Sequence, residues 1–363
     1  MSHAFHNLTV KKVVEETDQS KSIYFDIPDQ IKEDYQYRAG QYLTLKFDIN
    51  GNEERRSYSI CTSPLESDLG VNVKRVKKGL ISNHVNDIAK AGVEMAVMTP
   101  DGNFTLDLSE HKQRDFYFFA SGSGITPVIS MIKTILEEEP KSTCYLLYGN
   151  TDENSVIFKD ELQGLADKYA GQFIYQQTLS KPLREKAGGL KGLFSKGKMN
   201  WTGWIGRIDQ SKVDQFLDEN QKKSVEAHYL VCGPGAMIDT IIDHLEGKGI
   251  SDEFLHTERF VSSKPAGSGD GVGGQVKVHL AGKTYDVVVP ADKTILDALI
   301  DEKIDAPYSC TSGACSTCVA KVHSGEVSMD VCYVLVDSEV KAGYVLTCQA
   351  RCQSPEVELT FES

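Results

Sequence analysis

Long apolar runs are missing from this 363-residue sequence. No stretch approaches the roughly 18 apolar residues of a membrane-spanning helix, and the most apolar ones, such as Phe116–Ala120, are strand-sized. The opening residues, MSHAFHNLTVKK, lack the apolar core of a secretory signal. Positive charge is also scarce: 39 Lys and Arg stand against 52 Asp and Glu, a formal net charge of −13. A surface of that sign repels nucleic-acid phosphates and anionic membranes. The expectation is a cytoplasmic protein with neither nucleic acid nor membrane as partner. An even cysteine count is absent too. There are nine, crowded toward the C-terminus, which in a reducing compartment points to metal or redox chemistry rather than a disulfide framework. The remaining composition, 40% hydrophobic and 25% charged, suits globular domains, and the length suits two or three of them.

The clearest break is the Gly/Ser/Pro-rich stretch 261–275, VSSKPAGSGDGVGGQ, which reads as a flexible linker. Before it, residues 1–110 carry short alternating strands (Tyr42–Phe47, Arg56–Cys61, Val71–Val76) between turn signals such as Asn50-Gly51 and Pro100-Asp101-Gly102. That rhythm predicts an antiparallel β-barrel. From residue 111 to 260 strands and helices alternate: Phe116–Ala120, Pro127–Glu138, Cys144–Tyr148, Ile157–Tyr169, Phe173–Gln177, His228–Cys232 and a helix from Ala236. That alternation predicts a doubly wound α/β parallel sheet. Residues 276–363 form a third, α+β domain with strands at Val276–Leu280 and Tyr285–Val289 and a helix at Thr294–Glu302, capped by Asp292 or Thr294.

Cys310, Cys315, Cys318 and Cys348 follow the pattern C-x4-C-x2-C, then 29 residues, then Cys. This is the plant-type [2Fe–2S] spacing. A structural zinc site is the alternative, but such sites more often pair two C-x2-C knuckles. The flanks Ala306-Pro-Tyr-Ser-Cys310 and Gly343-Tyr-Val-Leu-Thr-Cys348 resemble plant-type ferredoxin domains, which implies a β-grasp fold. Cys61, Cys144, Cys332 and Cys352 stand singly and read as small buried residues or bystanders.

Two further motifs suit nucleotides. Alternation along Arg56-Ser57-Tyr58-Ser59 puts Arg56 and Tyr58 on one strand face, offering a cation, hydroxyls and an aromatic ring. Gly122-Ser-Gly124-Ile-Thr126-Pro127 follows a predicted strand and opens a helix, so its glycines and the helix N-terminus can cradle a pyrophosphate. Pro127 suits a first helical turn. Cys232-Gly233-Pro234-Gly repeats the arrangement later.

With Gly40-Gln41-Tyr42, Val73-Lys74-Arg75, Gly79-Leu-Ile81-Ser82 and Glu258-Arg-Phe260, this ordered set resembles the ferredoxin–NADP reductase superfamily over residues ~5–260. The resemblance implies that Arg56, Ser57, Tyr58 and Ser59 hold FAD. It places Val73, Lys74 and Arg75 beside the flavin ring, and Gly79, Ile81 and Ser82 at its pyrophosphate. Gly122, Gly124, Thr126, Pro127, Gly233 and Pro234 would flank NADPH or NADH. Cys232 would approach the nicotinamide, and Glu258 and Phe260 would face the flavin. Ser180-Lys181 stands where relatives often carry Ser-Arg, and Thr151 where they often carry Arg, so NADPH recognition rests on a lysine point charge.

Flavin, nicotinamide and ferredoxin modules in this order resemble the reductase components of multicomponent oxygenases. Ser324–Val331 and Gly343–Ala350 are similar to the reductase subunits of phenylacetyl-CoA epoxidase (monooxygenase) complexes. What this implies is electron flow from NAD(P)H through FAD and [2Fe–2S] to the oxygenase subunits of a di-iron monooxygenase. The alternatives are another oxygenase, a desaturase or a cluster enzyme as acceptor, or a redox-sensing module without catalysis. Residues 276–363 carry 13 acids and 7 bases, an acidic face for docking. Residues 181–204 are locally basic, with Lys181, Arg184, Lys186, Lys191, Lys196 and Lys198 against Glu185, and read as a solvated insertion. The linker implies an iron–sulfur domain that is tethered and mobile.

Replacing Lys181 by Ala tests the coenzyme expectation. The KM for NADPH should rise while that for NADH stays nearly unchanged, because a lost charge-assisted contact is worth about 1.5–3 kcal/mol when desolvated and less when exposed. Equal effects on both coenzymes would remove Lys181 from the site.

Overall fold

The computed structural model describes residues 4–185, 197–260 and 271–361. The expected linker therefore lies mostly outside the described residues, as do residues 186–196 of the basic insertion.

The N-terminal module is a six-stranded antiparallel sheet. Its strands are β1 (Phe5–Thr17), β2 (Ser20–Asp26), β3 (Tyr42–Ile49), β4 (Asn52–Ser59), β5 (Leu69–Lys74) and β6 (Glu94–Met98). Their order is β4-β3-β6-β1-β2-β5, and an Ile60–Val71 bridge joins the two ends into a barrel. Leu43 and Leu45 point into the core with Ile23, Val71 and Val97. Period-two alternation then turns Tyr42, Thr44 and Lys46 outward, beside their cross-strand partners Ser59, Ser57 and Arg55. A short helix that the strand rhythm does not predict, α1 (Leu80–Ile88), follows β5.

The second module contains β7 (Asp115–Ser121), β8 (Thr143–Asn150) and β9 (Phe173–Leu179). After a two-residue pair, β10 (Arg184–Glu185) and β11 (Lys198–Met199), come β12 (Trp204–Ile205), β13 (Ala227–Gly233) and β14 (Leu255–Arg259). The parallel order is β12-β9-β8-β7-β13-β14, so the strand order reverses between β7 and β13. Phe116, Phe118 and Ala120 pack on one face with α2 (Ile125–Glu138) and α3 (Lys159–Lys168). Tyr117 and Phe119 pack on the other with α4 (Gln210–Glu219) and α5 (Gly235–Gly247). Helix α2 starts two residues before the expected Pro127. Helix α3 starts two residues after Ile157, because Phe158 adopts a left-handed conformation (φ 59°).

The C-terminal module is a mixed five-stranded sheet. Its strands are β15 (Gly274–Leu280), β16 (Lys283–Val289), β17 (Val319–Ser324), β19 (Tyr344–Leu346) and β21 (Glu356–Thr360), in the order β16-β15-β21-β17-β19. A separate pair joins β18 (Val327–Met329) to β20 (Ala350–Cys352). Helix α6 (Ile295–Asp301) packs on the sheet, capped by a reciprocal Thr294–Asp297 box. Strand β15 begins at Gly274, whose partner is Val289, so the last two residues of the expected linker are strand. A final short helix is α7 (Asp337–Lys341).

This module sits against the outward β3–β4 face of the barrel through polar groups. The Tyr42 hydroxyl meets Thr317 Oγ1 at 2.7 Å, Thr44 Oγ1 donates to Ser309 Oγ at 2.9 Å, and Ser57 and Ser309 hydroxyls lie 2.5 Å apart. Among the described residues, the buried apolar clusters of the two modules are separate.

Gly124 has no room for a side chain: a Cβ there would land on the Cys232 carbonyl. Substituting Ala should destabilise the second module by about 1–3 kcal/mol or more through forced backbone shifts, read by thermal or denaturant unfolding. Ala at Gly164, where nothing lies within 4 Å, should be neutral or stabilising.

Candidate functional site

The register of the parallel sheet assembles the site. Cys232 pairs with Ala120 on one side and with Glu258 on the other, so the carboxyl ends of β7, β13 and β14 emerge together. Glu258 is enclosed. Ser59 Oγ of the barrel donates to its Oε2 at 3.1 Å, and Cys232 Sγ lies 4.0 Å from the same oxygen. Burial pushes the Glu258 carboxyl up to about 8, outweighing the Ser59 hydrogen bond. Burial likewise raises the Cys232 thiol, which suits packing and not a thiolate. Phe260, two residues on, is 40% exposed and stands outside the apolar cores.

A pocket opens at this point. Its lining includes Arg56, Ser57, Ser59, Glu258 and Phe260 together with Cys310 and Cys315. Residues expected to face a flavin and residues expected to bind a cluster thus share one cavity. Tyr58, next along the strand, is half-buried and packs against the barrel core. Tyr42 completes the wall, its hydroxyl shared between Asp101 Oδ2 at 3.0 Å and Thr317. In the sequence Tyr42 stands only as context for the flavin motif; its outward position on β3 is the signal that could have found it.

The neighbouring loops fit phosphates. Val73 is fully buried, and Lys74 Nζ reaches within 3.5 Å of the place a Cβ on Gly122 would occupy. Arg75, by contrast, bonds Asp87 Oδ1 at 2.6 Å and the Asn83 carbonyl at 3.3 Å, so its charge is spent within the barrel. No side chain caps α1, leaving its first N–H groups for an anion. Ser82 Oγ accepts from Val76 N–H at 3.1 Å, Gly79 gives that hydroxyl room, and Ile81 is buried beneath.

Across the cleft, Gly122 takes φ +57° and its carbonyl accepts from the Tyr148 hydroxyl at 2.9 Å. Thr126 Oγ1 closes the turn on the Ser123 carbonyl at 2.8 Å, and Pro127 is buried inside α2. Gly233 ends β13 and Pro234 caps α5. Ser180 and Lys181 follow β9, their N–H groups bonded to the Asn150 and Thr151 carbonyls at 2.9 and 2.7 Å, with the Lys181 side chain exposed.

The four cysteines are all unpaired, and Cys315, Cys318 and Cys348 are buried. The thiols of Cys315 and Cys348 hydrogen-bond the Cys310 sulfur and hold its pKa down. Ser312 N–H donates to Cys310 at 3.4 Å, and Gln349 Nε2 to Cys348 at 3.6 Å. Cys310, Cys315, Cys318 and Cys348 perturb one another's acidity, and with these N–H donors to sulfur the donor set suits an iron–sulfur cluster. Cys61, Cys144 and Cys352 are buried and Cys332 half-buried.

Comparison with known proteins agrees with this geometry. Family models for an oxidoreductase FAD-binding domain, an oxidoreductase NAD-binding domain and a 2Fe-2S iron-sulfur cluster binding domain match residues 7–106, 118–243 and 278–353. The chain is 35% identical to one of the subunits of 1,2-phenylacetyl-CoA epoxidase from Escherichia coli K12, over 99% of this chain and 98% of that one. It is 34% identical to the ferredoxin reductase component of 3-ketosteroid-9-alpha-monooxygenase from Rhodococcus rhodochrous, over 98% and 96%. The solved structure of phthalate dioxygenase reductase matches with a TM-score of 0.59 at 25% identity, over 99% of this chain and 98% of that one.

Glu258 makes stability pH-dependent in a defined direction. Its folded pKa lies above the ordinary 4.5, near 8, so its protonated form stabilises fully below 4.5 and this contribution is lost as pH rises through 8. Relative to Glu258→Gln, the apoprotein should lose stability across that window, read by denaturant unfolding at several pH values. Parallel pH profiles for the two proteins would place the carboxyl in water.

Proposed function

Since the chain belongs to the reductase components of multicomponent oxygenases, with FAD-binding, NAD-binding and [2Fe–2S] domains on one polypeptide, we propose that it feeds electrons from NAD(P)H to a di-iron oxygenase that epoxidises the ring of phenylacetyl-CoA, in the cytoplasm. The observation carrying this reading is the shared pocket, whose lining includes Glu258 and Phe260 together with Cys310 and Cys315. Bound flavin would supply the link between a two-electron hydride donor and a one-electron cluster.

The chain's own residues divide that work. The Gly122 and Gly233 loops, side by side where the strand order reverses, form a cradle for a dinucleotide. Arg56, Ser57 and Ser59 line the barrel side, where Ser59 donates to the Glu258 carboxyl, and Tyr58 packs against the barrel core behind them. At neutral pH Glu258 retains its proton, so it can donate a hydrogen bond into the pocket without bringing a charge there. Cys310, Cys315, Cys318 and Cys348 would hold the cluster with two of its ligands at the pocket wall. The aromatic acyl-CoA acceptor is supported by the 35% identity to the epoxidase component. A second reading, a different oxygenase as acceptor, is supported by the 34% identity to the 3-ketosteroid component.

The purified protein should carry about one FAD and two irons per chain. Cys315→Ser should remove the cluster's visible spectrum and abolish transfer to one-electron protein acceptors, while ferricyanide reduction survives. Zinc in place of iron would overturn the electron-transfer reading. Coupled assays with the two kinds of oxygenase then decide the acceptor: NADPH-dependent epoxidation of phenylacetyl-CoA is expected, and turnover with the 3-ketosteroid oxygenase alone would favour the second reading.

A further inference from the structure

At the seat between barrel and iron–sulfur module lies a side chain that cofactor binding does not use. Arg55 projects from the outward face of β4, yet its side chain is only 6% exposed. Nε donates to Glu53 Oε1 at 2.7 Å and Nη2 to Asp305 Oδ1 at 3.0 Å. The guanidinium lies 4.1 Å from the centre of the Tyr308 ring and 4.9 Å from that of Phe5. The Tyr308 hydroxyl in turn reaches Glu53 Oε1 at 3.4 Å. Phe5, Glu53 and Arg55 belong to the barrel; Asp305 and Tyr308 belong to the iron–sulfur module.

Two physical features make this contact dominant. A guanidinium packed on an aromatic face gains cation–π attraction that grows as water is excluded, and Arg and Tyr are the residue types that most often anchor interfaces. The Tyr42–Thr317, Thr44–Ser309 and Ser57–Ser309 contacts pair hydroxyls, with Thr317 also donating to Asp101 Oδ2 at 3.0 Å, and water can replace them when the modules part; a second stack, Arg259 on Tyr333, is looser at 5.4 Å. The Asp305 carboxylate is 88% exposed, so its pairing with Arg55 is screened and adds little. The stack on Tyr308 remains. Tyr308 precedes Cys310 by two residues, and Cys310 lines the pocket beside Glu258. Arg55 is therefore joined to the pocket wall through one short, buried run of chain.

We propose that Arg55 is the positioning residue that seats the iron–sulfur domain on the barrel in its electron-accepting pose, acting through Tyr308. This rests on the electron path proposed above and deepens it. Arg55 lies outside the pocket lining, so its removal spares nucleotide and flavin while loosening the approach of the Cys310 loop.

The test is anaerobic stopped flow on the holoprotein, mixing with NADPH and following flavin reduction and cluster bleaching separately. Arg55→Ala should leave flavin reduction and ferricyanide turnover within about twofold and slow cluster reduction by about thirtyfold, the size of an interface anchor's loss. Arg55→Lys should recover only part, since an ammonium lacks the planar stacking surface. Asp305→Asn should cost less than about threefold. Tyr308→Leu, which leaves the barrel intact, should slow the same step, and the double variant should be no slower than the slower single, because both remove one contact. Iron content near wild type in each variant keeps the comparison on docking, and Tyr308→Leu carries the test if Arg55→Ala does not fold. Wild-type cluster reduction in iron-replete Arg55→Ala or Tyr308→Leu protein, or additive slowing in the double variant, overturns the proposal. Failure of wild-type protein to reduce its own cluster with NADPH overturns the electron path instead.

Discussion

The centre of the molecule depends on one register. Because β13 lies between β7 and β14 with Cys232 opposite both Ala120 and Glu258, two glycine loops and a carboxylate reach the same cleft without any long side chain. Gly124 sits so close to the Cys232 carbonyl that the loops brace each other. The Glu258 carboxyl then accepts a hydrogen bond from a residue of a different module, Ser59. A shift of β14 by one residue would turn Glu258 to the opposite face of the sheet and empty the pocket of its acid. Strand pairing, fixed by the aromatic and aliphatic cores on both faces, therefore governs the electrostatics of the site.

The barrel contributes a second constraint of the same kind. Its inward residues Leu43 and Leu45 fill the core, and the alternate residues Tyr42 and Thr44 are thereby committed to the outside. Paired with Ser59 and Ser57, they form a polar ladder beside which Arg55 and Glu53 continue. The iron–sulfur module reads this ladder with Thr317, Ser309, Tyr308 and Asp305. Core packing on one side of two strands thus determines which groups are offered to a neighbouring domain on the other.

Much of this is legible in the residues. The cysteine spacing and the two glycine turns are readable because each motif needs specific residue types at specific spacing, and the three-module order follows from strand and helix rhythm. Lys74 and Arg75 look equivalent in sequence; only the fold shows that Arg75 is taken by Asp87, twelve residues on. Arg56 stands out through its motif, whereas its neighbour Arg55 carries no local signal, since its importance lies in a residue 253 positions away, Tyr308. The docking face is likewise made of serines and threonines, whose ordinary reading is solvent-facing strand. Helix α1 is hidden because Gly79 opens it without a capping side chain.

The composition of the seat has a bearing on how such chains arise. Separated, the barrel would show Tyr42, Thr44, Ser57 and Arg55 to water, and the iron–sulfur module Ser309, Thr317, Asp305 and the Tyr308 ring. Neither half would bare a broad greasy surface that forces aggregation. The modules are in that sense portable: parting them would uncover mainly polar groups rather than an apolar core. A seat built from leucines would have locked the same three parts into a single permanent arrangement.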